Sequence, residues 1–163
     1  MRIYVPATLS MLRTLVKTGE LAPINGTAFA LTPALRESYA TGEAEELEYA
    51  AMADAARASL RLLDTDPDAV PRRVVVAADV ENVTLRPDLD FAVVRLAGPI
   101  TLAQIAAAHV DNEAAEPAVR TAAALIEAAD LGDPDADFAV GDAEDHELAW
   151  YATQELPFLL DLM

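Results

Sequence analysis

Between Glu43 and Asp64 the chain carries apolar residues round more than half of a helix, which constrains the fold more than any other segment. At about 100° per residue, Leu47, Ala51, Ala55, Ala58 and Leu62 form one stripe. Tyr49, Met52, Ala56, Leu60 and Leu63 form a second, and Glu46, Asp54, Arg57 and Arg61 share the remaining face. A helix apolar over so wide an arc packs on two sides. Glu48 and Ser59 point within that arc. Glu48 is either a carboxylate near the helix start whose tip reaches water or a buried functional acid.

Something must form the layers that this helix packs on. "RIYV" (2–5) reads as a short strand stopped by Pro6, and Thr8 can cap a helix through Leu9, Leu12, Leu15 and Val16 that Gly19 ends. "TAFALT" (27–32) is a second strand, after which Pro33 opens a turn of helix, "PALRESYA", closed by Gly42. "RRVVVAADV" (72–80) has the unbroken valine centre of a strand covered on both faces. "FAVVRLAG" (91–98) alternates as a strand does. Thr101 is placed to cap a helix, "LAQIAAAHV", in which Leu102, Ile105, Ala106 and His109 share a face. A further helix starts near Pro117 and runs to about Asp130, "DADFAV" (135–140) reads as a short strand, and "ELAWYA" (147–152) as the last main strand. "QELPFLLDLM" ends the chain as a helix with Pro157 in its first turn.

These elements predict a single globular domain over residues 1–163. Its fold class is α/β or α+β: one two-layer sandwich of five to six short strands, with helices mainly on one face. Aromatic residues are 6% of the chain, so alanine and aliphatics fill the core, and Trp150 is expected within it. An all-α arrangement is the alternative, since short strands in alanine-rich sequence are easily overread. If helices cover one face, the other carries Tyr4, Phe29, Phe91, Val93 and Tyr151 and needs a further helix layer or a second subunit. A homodimer is therefore plausible.

Charge excludes whole classes of partner. With 28 acidic against 11 basic residues the net charge is −17, and Lys17 is the only lysine. Such a field repels nucleic acid and anionic membrane surfaces. No apolar run reaches the roughly 20 residues that span a bilayer. The start, "MRIYVPATLSML", lacks the pattern of a signal peptide. The absence of cysteine removes disulfides and thiolate metal sites and agrees with a reducing cytoplasm.

No glycine-rich phosphate loop or nucleophile elbow occurs. The candidate catalytic set is His109 with Asp111 in "HVDNE" and Asp145 with His146 in "EDHE". Two imidazoles with carboxylates can hold Zn²⁺, Mn²⁺ or Fe²⁺, or act as an acid–base pair, if the two segments meet in space. Neither matches a known ligand spacing, and no metal or cofactor is assigned. Otherwise His109 closes an apolar stripe and His146 sits in a polar turn. A candidate ligand-binding set is Arg36, Tyr39 and Glu48, with Arg36 suited to a small anion; the alternative is a surface Arg–Glu network.

"MRIYVPATLSMLRTLV", the run "TAFALTPALRESYATGEAEELEYAAMADAARASLRLL", "AAHVDN" and "DHELAWYATQEL" together resemble a family of small acidic proteins from high-GC actinobacteria, described as a domain of unknown function. The resemblance covers nearly the whole chain and implies a cytoplasmic bacterial protein. It implies no activity and no site residues. The functional expectation is a non-enzymatic protein acting through protein–protein contacts, with a partner or with itself. The alternatives are a small metal-dependent or acid–base enzyme on His109 and His146, and small-anion binding near Arg36.

Overall fold

The computed structural model describes residues 1–39 and 41–163. In chain order the elements are β1 (Arg2–Ala7), α1 (Leu9–Thr18), β2 (Glu20–Leu21), β3 (Thr27–Ala30), α2 (Pro33–Ser38), α3 (Ala44–Asp64), β4 (Val74–Asp79), β5 (Thr84–Leu85), β6 (Val93–Arg95), β7 (Ile100–Thr101), β8 (Ile105–Val110), α4 (Glu116–Asp130), α5 (Pro134–Glu144), β9 (Ala149–Tyr151) and α6 (Leu156–Asp161). Ala40, the last residue expected in the helical turn from Pro33, lies outside the described residues.

The fold is mixed α and β. Seven strands form one antiparallel sheet in the order β5-β6-β3-β1-β4-β8-β9, and β2 pairs with β7 in a separate ribbon. Five to six strands were expected; of the four additional ones, β2, β5 and β7 are pieces of two residues that carry too little pattern to read, and the fourth is β8.

Helices lie on both faces of the sheet, not mainly on one. Strand alternation sends Ile3, Val5, Val74, Val76, Ala108 and Val110 to one side, where they bury Leu9, Leu12 and Leu15 of α1 and Leu156 and Leu159 of α6. Tyr4, Phe29, Val75, Ala77 and Val93 point the other way and pack on Ala51, Ala55 and Ala56 of α3 and Leu35 of α2. Only the C-terminal part of the second stripe of α3 is covered by other helices. Leu60 and Leu63 pack with Val119, Ala122 and Ile126 of α4 and Ala136 and Val140 of α5. The two-sided helix thus meets the sheet on one side and a helical pair on the other. Of the residues expected to need cover, Tyr4, Phe29 and Val93 are under helices and Tyr151 lies on the α1 side, whereas Phe91 is 51% exposed.

Two assignments change. Residues 105–110 are a strand, β8, preceded by one 3-10 turn at Leu102–Gln104, where a helix was expected. The helical spacing of Leu102, Ile105, Ala106 and His109 is fortuitous in an alanine-rich run. Pairing decides the outcome: β8 joins β4 from Val74↔Val110 to Ala77↔Ala107, with Ala108 packed in the core on the α6 side and Ala107 on the opposite face. Conversely, "DADFAV" lies in helix α5. Asp133 caps it, accepting from the amides of Asp135 and Ala136 at 2.9 and 3.2 Å, and Ala136, Val140 and Ala143 recur at helical spacing inside.

Ser59, flagged by its place in the apolar arc, explains how α3 is registered on the sheet. It is fully buried; its hydroxyl donates to the Ala7 carbonyl at 2.7 Å and accepts from the Val74 amide at 3.1 Å. Ala7 and Val74 are cross-strand partners, so one side chain fastens the helix to the end of the β1–β4 ladder.

Candidate functional site

The sheet face under α3 is not covered to its edge. Beyond Tyr4 and Ala77 the strands β8 and β9 leave an open cleft of about 370 Å³ between the first half of α3 and the sheet. Antiparallel pairing assembles its floor: Tyr4↔Ala77, Ala77↔Ala107 and His109↔Trp150 bring residues from four strands onto one face. Glu45, Glu48, Tyr49 and Met52, at helical spacing on α3, form the opposing wall.

Aromatic surface and carboxylate charge dominate this cleft. Trp150 is 60% and Tyr49 63% exposed, far more than such large rings usually are, whereas Tyr4 is only 7% exposed. Burial first, and then the Glu48 carboxylate, pushes the Tyr4 hydroxyl above its ordinary range, so it stays protonated at neutral pH. Burial, with Arg2 second, pushes the His109 imidazole below its usual value and keeps it neutral there. Arg2 is the cleft's one cation among the described residues and is already engaged, bidentate to Asp79 at 2.8 and 3.0 Å. That pair raises the Arg2 pKa and holds the Asp79 carboxyl below its usual range. Among the described residues Glu45 and Glu48 have no cation within 4.0 Å. The arrangement suits a positively charged group stacked on an aromatic face.

The residues expected to form a catalytic set are distributed over two neighbouring pockets, the interior and the surface. His109 is on β8 and half-buried in this cleft, while His146 lies in the turn after α5 and lines a neighbouring pocket with Glu144, Glu147 and Arg73. Asp111 is 1% exposed and reaches neither pocket. Its carboxylate accepts from the Arg73 backbone amide, Nε and Nη2, each at 2.8 Å, and the same Nη2 donates to the His146 carbonyl at 2.8 Å. Asp145 is exposed at the end of α5. Among the described residues no group of three or more His, Asp and Glu side chains stands where it could hold a metal ion. Arg36 and Tyr39 are exposed at the end of α2 and do not line the cleft that holds Glu48.

Sequence reasoning missed Arg2, Glu45 and Trp150 as cleft residues. Trp150 was expected in the core because a lone tryptophan is a large apolar payload. It is instead on the terminal strand of the sheet, beyond the reach of α3. The available signal was the pairing of "AAHV" with "LAWY", legible only once the first of these is recognised as a strand.

No helix among the described residues is long and apolar enough to cross a membrane. No curated protein and no solved structure gives a significant match to this chain. A family model does match, across residues 1–160, and by that match the chain belongs to a family of unknown function (DUF6912).

Proposed function

We propose that the protein is a non-enzymatic binding module of the bacterial cytoplasm, whose cleft between α3 and the β8–β9 edge receives a cationic side chain of a partner protein. One observation carries the reading: two exposed aromatic rings, Trp150 and Tyr49, share an open cleft with Glu45 and Glu48, which make no ion pair within 4.0 Å among the described residues, the nearby Arg2 being bound to Asp79. A guanidinium or ammonium seated there gains ring–cation attraction of about 0.5–2 kcal/mol and two carboxylate neighbours. The neutral His109 does not oppose it. The net charge of −17 adds long-range attraction for basic partners and repels polyanions such as nucleic acid.

Calorimetric titration with N-acetyl-arginine amide tests the reading, with the citrulline analogue as an uncharged ligand of matching shape. Saturable binding on the order of 1 mM, about −4 kcal/mol, is expected for arginine and none for citrulline. Equal binding of both would defeat the assignment of a charge-selective cleft.

A further inference from the structure

We infer that the cleft is one end of a longer groove, and that its occupant is an extended segment of a partner protein with basic residues at i and i+4 and an apolar residue at i+2. This inference rests on the cation-binding reading of the cleft. A second pocket, of about 300 Å³, shares Tyr49 and Met52 with the first and continues along the same flank of α3 past Ala53 and Ala56. Its other wall is His146, Glu147 and Leu148, the residues that lead into β9. From Glu45 to Ala56 the helix rises roughly 16 Å at about 1.5 Å per residue.

An extended chain advances about 3.3 Å per residue and presents alternate side chains to one side. Residues i and i+4 therefore stand roughly 13 Å apart on the same face, which fits within the groove. Acid lies at both ends. Glu45 and Glu48 flank the aromatic end, and Glu147 at the far end has no cation within 4.0 Å among the described residues. Glu144 is held by Arg57 at 3.3 Å, and Arg73 is buried against Asp111, so neither Arg neutralises Glu147. Between the ends, Met52 and the partly buried Leu148 offer an apolar stretch to the middle side chain. Acid, apolar and acid along one groove are the complement of basic, apolar and basic along one strand.

Fluorescence anisotropy of the labelled peptide Gly-Arg-Ser-Leu-Ser-Arg-Gly against the full chain tests this. The peptide should bind about tenfold more tightly than the same peptide with citrulline for its second arginine. Glu147→Gln should reduce it to the single-arginine level; Glu147 is exposed, so the fold is expected to tolerate the change. Equal affinity of the two peptides overturns the second subsite and leaves the cleft reading standing. Failure of both peptides to bind overturns both. Displacement by spermidine at concentrations below those of unlabelled peptide would assign the groove to a free polyamine instead, and overturn the protein partner.

Discussion

Asp111→Ala should be among the most damaging single substitutions, although Asp111 has the look of a catalytic acid in the sequence. Its carboxylate accepts three hydrogen bonds at 2.8 Å from Arg73, and the two side chains are 0% and 4% exposed. Truncation leaves a buried guanidinium with the His146 carbonyl as its remaining partner and a buried amide with none. Breaking a buried ion pair in this way costs about 3–5 kcal/mol. Arg73 borders the second pocket, so water can reach part of the exposed charge, which places the cost near 3 kcal/mol. For a chain of this length that is roughly 6–12 °C in melting temperature. Circular-dichroism melts and urea titrations measure it, with Asp145→Ala as the exposed control, expected within about 0.5 kcal/mol of the parent. Arg73→Met combined with Asp111→Leu removes the unpaired charge and should recover part of the loss, the Arg73 backbone amide and the His146 carbonyl still lacking partners. A loss below 1 kcal/mol for Asp111→Ala would refute the reasoning. Because Arg73 also holds the His146 carbonyl, the single variant should loosen the far wall of the groove as well.

Ser59→Ala leaves the Ala7 carbonyl and Val74 amide without their shared partner and should cost about 1–3 kcal/mol by the same melts. Gly26→Ala should cost more than Gly19→Ala: both have positive φ, but a Cβ at Gly26 would meet the Leu96 carbonyl oxygen at 2.6 Å, whereas at Gly19 it enters open space. The His109 imidazole should titrate below its ordinary value of about 6.5 by proton NMR. The folded state then binds fewer protons than the unfolded chain just below that value. Stability from this group is complete above pH about 6.5 and is lost as pH falls toward the folded pKa; His109→Gln should flatten that window.

The parts of the fold legible in the sequence are those whose local and tertiary preferences agree. Thr8 does cap α1 and Gly19 does end it, the two-striped α3 does pack on two sides, and the valine run of β4 is central. Reading failed where alanine carries the pattern. "IAAAHV" has helical spacing and high helix propensity, yet it is a strand because β4 and β9 pair with it on either side. That one reversal also hid the cleft, since His109 faces Trp150 and Ala77 faces Ala107 only in a sheet. Asp111 and His109 look like one motif, two residues apart on a strand. They nonetheless act in different places: the imidazole lines the cleft, while the carboxylate lies beyond the end of β8 beside Arg73. Glu48 was visible as an anomaly in the apolar arc, and the aromatic surroundings that give it meaning come from distant strands.

Trp150 is the only tryptophan in the chain and stands in the cleft, so its emission reports the site with no label. Titration with N-acetyl-arginine amide should shift that emission saturably. The citrulline analogue should leave it unchanged, and Glu45→Gln with Glu48→Gln should abolish the arginine response. A response identical for the two ligands, or one that survives loss of both carboxylates, would contradict a cation-binding cleft.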